Sequence, residues 1–210
     1  MDDIDSPDPA LEPILALIHR LASTGEHSRL LQELVDLLPD ILEAERCVFF
    51  LYDPDNRRLR FKAGTGMCEQ ELDSPLEGAV GGKSVLDNVA VVINDPRLFT
   101  KLRPDLVDDQ PIRNLLSVPV RNTTGEVVRG VLQVMNKRRG GVFTPRDQQL
   151  MERVTERLHG VVKKLYLSQQ NRLSRSREPG WREQLLTPLG MMGLAMAAGL
   201  AMAGLMLWLG

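Results

Sequence analysis

Residues 127–148, VVRGVLQVMNKRRGGVFTPRDQ, decide the fold. Val127, Val128, Val131, Leu132, Val134 and Met135 form a near-continuous apolar run, interrupted by Arg129, Gly130 and Gln133. A short run of this kind, rich in β-branched side chains, predicts a strand covered on both faces. Asn136 and Lys137 end it, and Arg138-Arg139-Gly140-Gly141 carries turn chemistry. A helix start follows, with Thr144 as N-cap, Pro145 at the first helical position and Asp147 three residues past the cap. From there Leu150, Met151, Val154, Leu158, Val161, Val162 and Leu165 make one apolar face, predicting a helix to about residue 167.

The strands around this core read in the same way. Residues 46–52 (RCVFFLY) are an apolar strand, and residues 53–56 are a turn. Leu59, Phe61 and Ala63 then alternate with Arg58, Arg60 and Lys62, which predicts one face on the core and one in water. The two strands form a hairpin, the first central and the second nearer an edge. Residues 90–93 and 115–120 are further strands, and residues 122–126 turn the latter back antiparallel into the central run. Upstream, Leu11, Ile14, Leu15, Ile18 and Leu21 make one helical stripe, and Leu30, Leu31, Leu34, Leu37, Leu38 and Ile41 make a second, with Pro39 near its end. Both stripes fit packing against the sheet, or a dimer bundle with the helix after Thr144.

These residues resemble the GAF domain, a ligand-sensing relative of PAS domains. The family's signature, Gly-x-(Leu/Ile)-x-x-x-Asn-Lys followed by Phe-x-x-x-Asp-Glu, corresponds to Gly130 through Lys137 and then Phe143 through Gln148, with Gln148 in place of the usual Glu. Ser117-Val118-Pro119-Val120 is similar to the family's Pro-containing strand, and Ile93-Asn94-Asp95-Pro96-Arg97 to its I-x-D-x-R loop. The resemblance spans roughly residues 25–165 and implies an α+β fold: an antiparallel sheet of about five to six strands with flanking helices. It also implies a ligand site floored by Phe50, Leu115 and Val134 and closed by residues 78–97, with Val80, Gly81, Asn94 and Asp95 on the closing segment. Residues 78–86 resemble the family's short helix over the sheet. In phosphodiesterase GAF domains the counterparts of Lys137 and Asp147 form a structural salt bridge, implying a latch between strand and helix here.

The chain has 210 residues with 26 basic and 28 acidic side chains, a balance that gives no footprint for nucleic acid. Residues 1–9 are acidic and proline-punctuated, predicting a disordered tail ahead of a domain over residues 10–167. Residues 168–188 read as a basic linker. Residues 189–209, LGMMGLAMAAGLAMAGLMLWL, carry no charge and are long enough to cross a hydrocarbon core of about 30 Å as a helix. Arg172, Arg175, Arg177 and Arg182 precede this stretch, so the positive-inside rule predicts a tail-anchored, single-pass protein with a cytoplasmic domain. Small residues at four-residue spacing (Gly193, Ala197, Ala201) fit either helix association in lipid or the ordinary composition of spans.

Catalytic constellations are missing. His19, His27 and His159 all lie outside residues 46–147, where the resemblance places the pocket. The acidic residues of the variable half do not pair with histidines at metal-ligand spacing, so no metal and no cofactor are expected. Cys47 lies in an apolar strand and reads as a buried, inert thiol. Cys68 has no placed resolving partner of the kind a reductase would need. Gly81-Gly82-Lys83-Ser84 has the ending of a P-loop, but Glu77 stands where its first glycine belongs. The expectation is a non-enzymatic, membrane-anchored regulatory protein. It would bind a small ligand, such as a purine or cyclic nucleotide, and signal as a homodimer or through a partner protein. The alternative is a ligand-free docking module that recruits partners to the membrane.

Overall fold

The computed structural model describes residues 11–23, 27–67, 73–105 and 111–177. Six strands form one antiparallel sheet in the order β3-β2-β1-β6-β5-β4. They are β1 (Ala44–Asp53), β2 (Arg58–Gly64), β3 (Asp73–Pro75), β4 (Val91–Ile93), β5 (Leu115–Arg121) and β6 (Val128–Lys137). The helices are α1 (Glu12–Ser23), α2 (His27–Ile41), α3 (Val80–Asp87) and α4 (Pro145–Arg177). The deciding stretch is therefore the middle of the sheet: β6 lies between β1 and β5 and is buried along almost its whole length. Val127 falls just outside the strand and is exposed.

Side-chain parity divides the interior in two. Cys47, Phe49 and Leu51 of β1, Leu116, Val118 and Val120 of β5, and Leu132 and Val134 of β6 pack with α1, α2 and α4. Val48 and Phe50, Leu115, Val131 and Met135 point the other way and pack with Leu76, Val80 and Val85 around α3. Successive strand residues face opposite sides, so each strand serves both cores.

The structure corrects the sequence reading in three places. Leu59 and Phe61 join the α3 side, but Ala63 joins the helix side. A register shift between Phe49 and Phe50, where Phe49 pairs Ala63 and Phe50 pairs Phe61, absorbs one residue and flips the parity. Val134, expected on the floor of a ligand site, belongs to the opposite core with α2 and α4. Lastly, α4 continues to Arg177, into residues expected to be linker. No proline or glycine interrupts residues 168–177, and their glutamines and arginines are good helix formers.

Helix α4 starts as its capping residues predict. The Asp147 amide donates to Thr144 Oγ1 (3.3 Å), and the Thr144 amide donates to Asp147 Oδ2 (2.7 Å), a reciprocal capping box. Lys137 Nζ, at the end of β6, lies 2.8 Å from Asp147 Oδ1, with both side chains largely buried at 14% and 13% exposure. Strand and helix are thus tied by an ion pair across the turn at residues 138–144. Asn136 and Arg139 in and beside this turn have positive φ (62° and 54°). The chain divides into two units, residues 1–166 and 167–210. The predicted disordered tail (1–9) and membrane span (189–209) lie outside the described residues. Among the described residues no helix is long and apolar enough to cross a membrane.

Candidate functional site

The α3 side of the sheet brings together four of the seven residues expected to form a ligand site. Phe50, Val80 and Leu115 are fully or nearly fully buried in that core, and Phe50 meets Phe61 edge-on with ring centroids 6.0 Å apart. Gly81 sits in the first turn of α3, with Val80 before it and Gly82 after it. Gly82 tolerates no side chain, and one at Gly81 would have to push aside the ends of the Gln133, Asp105 and Leu59 side chains. A Cβ at Gly82 would lie 1.8 Å from the Leu76 carbonyl oxygen, and one at Gly81 would lie 2.7 Å from Gln133 Nε2 and 2.8 Å from Asp105 Oδ2. The two glycines let α3 approach the sheet closely enough for its backbone to reach buried polar groups.

Those groups form a cluster that spacing did not bring out. Asp105 follows the 3₁₀ turn Pro96–Thr100, and its carboxylate turns inward. Oδ2 accepts from the Gly81 amide (2.6 Å) and from Gln133 Nε2 (2.8 Å), and Oδ1 accepts from Ser74 Oγ (2.8 Å). Gln133 Nε2 also reaches Ser117 Oγ at 3.3 Å, and Ser117 and Gln133 are register partners on β5 and β6. Ser74, Ser117 and Gln133 are all buried, and buried Gln133 Oε1 has no hydrogen-bond partner. Burial raises the Asp105 acid above the usual carboxylate range, against the lowering effect of its bonds to Gln133, Gly81 and Ser74 and of the Arg103 charge. The available sequence signal was one polar residue in each of two neighbouring apolar strands, Ser117 and Gln133. Asp105 gave no signal, because a loop aspartate is ordinarily solvated.

The remaining expected residues are committed elsewhere. Asn94 forms a reciprocal pair with the Phe143 backbone, donating from Nδ2 to its carbonyl and accepting its amide at Oδ1, each at 2.9 Å. This joins the end of β4 to the segment ahead of α4. Asp95 caps the 3₁₀ turn by accepting from the Arg97 amide (3.0 Å), and it pairs with the Arg97 guanidinium (2.8 Å). Val134 faces the other core, as above. Two clefts lie apart from these residues. One of about 490 Å³ is bounded by α2 and the end of β2, including Gln32, Asp36 and Lys62. The other, about 400 Å³, lies between the β5–β6 turn and α4 and includes Arg121, Thr155 and His159.

Redox and metal chemistry have little to draw on among the described residues. Cys47 is fully buried in β1, and that burial pushes its thiol far above its ordinary value, so the nucleophilic thiolate is suppressed. Cys68 lies outside the described residues. No group of three or more His, Cys, Asp or Glu side chains among the described residues could hold a metal ion.

A curled six-stranded antiparallel sheet, with three helices on one face and a short helix over the other, defines a GAF-like α+β domain. The chain belongs to the GAF domain family, whose model matches residues 26–160. Solved structures agree on the fold. The GAF domain of an Acinetobacter phosphoenolpyruvate-protein phosphotransferase superposes with a TM-score of 0.65 at 19% identity, covering 77% of this chain and 97% of its own. Residues 122 to 287 of a methyl-accepting chemotaxis protein give 0.60 at 19% identity, covering 72% and 97%. Free methionine-R-sulfoxide reductase from Neisseria meningitidis, solved with its substrate, gives 0.58 at 17% identity, covering 78% and 95%. The fold is therefore shared by signalling proteins and by an enzyme. A comparison with curated proteins finds no match.

Proposed function

We propose that this GAF domain is a non-catalytic sensor that binds a small polar molecule on the α3 side of its sheet. One observation carries the reading: buried polar groups from β3, α3, β5 and β6 converge at one point beneath the first turn of α3, inside an otherwise apolar core. Ligand sites are mostly apolar with a few convergent polar groups that fix orientation, and this is that pattern. An unpaired buried acceptor is unfavourable unless something supplies a donor, so the cluster is better suited to recognition than to stability alone.

The signal leaves through α4, whose first turn is tied to β6 by the Lys137–Asp147 pair and whose apolar face forms the helix-side core. Pairing of two copies through the helices, and attachment to the cytoplasmic face of a membrane through residues 189–209, complete the proposal. Its support there is the uncharged stretch and the arginines that precede it. The alternative, a docking module whose site is filled by its own side chains, draws on the close packing of Phe50, Leu59, Phe61 and Met135 on the same face.

Calorimetry on the full chain separates the two. The panel is cyclic AMP, cyclic GMP, purines and amino acids. Saturable heat that Gly81→Val abolishes, by filling the space beneath α3, is the expected result. No heat from any compound, with the protein folded, would leave the docking module. For the non-catalytic part of the reading, incubation with free methionine sulfoxide and a thiol reductant is expected to give no methionine, and steady turnover would overturn it.

A further inference from the structure

Three donors from three separate elements meet on one carboxylate: Ser74 Oγ from β3, the Gly81 amide from α3 and Gln133 Nε2 from β6. The carboxylate belongs to none of these elements. Asp105 is delivered by the loop after the 3₁₀ turn, 24 residues away in sequence from the amide it accepts. The N-cap of α3 is Ala79, which offers no side-chain bond, so the anion that the first turn of the helix favours comes from Asp105, while the Val80 amide donates to the Arg103 carbonyl (3.0 Å). Gly81 leaves the approach open, because any side chain there would collide with the carboxylate and with Gln133.

Asp105 does not complete the site. Gln133 turns its amide nitrogen toward the carboxylate and toward Ser117, while its Oε1 stays buried with no donor. An aspartate side chain carries only methylene beside its carboxylate and can supply none. A free molecule with the same carboxylate and an N–H or O–H on the adjacent carbon would meet both needs.

We propose that Asp105 is an internal ligand, and that the site it fills is a receptor for a small free carboxylate with a hydrogen-bond donor next to its carboxyl group. The inference rests on the sensor reading above and names its ligand class. Binding displaces the Asp105 side chain from the Gly81 amide, while the backbone bonds of Arg103 to Gly78 and Val80 stay in place. Occupancy is then read as loss of Asp105 from Ser74, the Gly81 amide and Gln133. The desolvated state of the Asp105 carboxylate favours its return to water once displaced. The competing account is that Asp105 does no more than cap α3 from a distance.

The test uses the full chain labelled with ¹⁵N-glycine, with the Gly81 amide as reporter. Acetate, glycolate and unlabelled glycine are titrated into wild type, Asp105→Ala and Asp105→Asn. Removing an internal competitor raises apparent affinity by the fraction of sites it blocked, so the Gly81 signal of Asp105→Ala is expected to saturate at ~10-fold lower glycolate or glycine than wild type. Acetate, which lacks the donor for Gln133 Oε1, is expected to bind ~3-fold or more weaker than glycolate. Asp105→Asn keeps the volume and one acceptor, and carries the same comparison if the alanine variant does not fold. Equal responses in wild type and variant, or none to any carboxylate, would mean that Asp105 is only a cap. If cyclic nucleotides or purines move Gly81 in that sample, the sensor reading survives with another ligand class. If nothing in either panel moves it in a folded variant, both readings fall.

Discussion

Asp105 and Gly81 illustrate how single residues set the properties of the α3 face. The folded-state pKa of Asp105 lies above its unfolded value, since burial disfavours the charged form. Stability from this group is therefore fully present below the unfolded pKa and lost as pH rises through the folded one. Thermal melts of wild type between pH 4 and pH 8 are expected to show that loss, and Asp105→Asn, which cannot ionise, is expected to flatten it. A pH profile unchanged by the substitution would place the carboxylate in water. At Gly82 the constraint is steric: a Cβ would lie 1.8 Å from the Leu76 carbonyl oxygen. Gly82→Ala is expected to cost at least the ~1–3 kcal/mol usual for overpacked cores, read as a fall in urea midpoint. An unchanged midpoint would show that α3 moves away from Leu76 freely.

Among the elements, the start of α4 was the most legible and also makes the clearest prediction. Thr144, Pro145 and Asp147 announced the helix because capping is local chemistry, satisfied by residues three apart. Burial works to raise the Asp147 pKa, but the Lys137 ammonium and the Thr144 amide and hydroxyl outweigh it and hold the carboxyl below its ordinary 3.8. A lowered folded pKa contributes stability above the unfolded value and loses it as pH falls through the folded one. Asp147→Asn is expected to cost about 2 kcal/mol at pH 7, by chemical denaturation, through weakened charged hydrogen bonds, with the deficit closing as pH falls through the lowered folded-state pKa. A deficit that persists in acid would assign the loss to packing instead. The β1–β2 hairpin shows the opposite case. Its alternation of apolar and basic residues predicted one face for Leu59, Phe61 and Ala63, yet the shift beside Phe50 turns Ala63 to the other core. Nothing within the hairpin's own sequence marks where a strand will absorb an extra residue.

For the whole molecule, the family assignment rests on residues 26–160, and the proposed membrane attachment on residues 189–209. Flotation with liposomes is expected to carry the full chain to the lipid fraction and to leave a chain ending at residue 180 behind. Flotation of the shortened chain as well would move the attachment onto the domain. The sequence by itself marked the long strands and helices and the burial of β6 on both faces, because hydrophobic period, turn residues and caps act over a few neighbouring positions; the motifs at residues 130–137 and 143–148 carried the family resemblance, and the short strand β3 left no mark. The family resemblance placed Phe50, Leu115 and Val134 on the floor of a site and Val80, Gly81, Asn94 and Asp95 on its closing segment, and of these Phe50, Leu115, Val80 and Gly81 lie on the α3 side. Only the tertiary structure decided which face each strand residue serves. Val134 and Gln133 are adjacent in the chain, and a strand sends neighbours to opposite sides, so the first packs beneath the helices and the second enters the polar cluster. Asp105 was decided there as well. A loop carboxylate acquires a role only when the chain folds it against an amide and two side chains from distant segments, and no local pattern encodes that meeting.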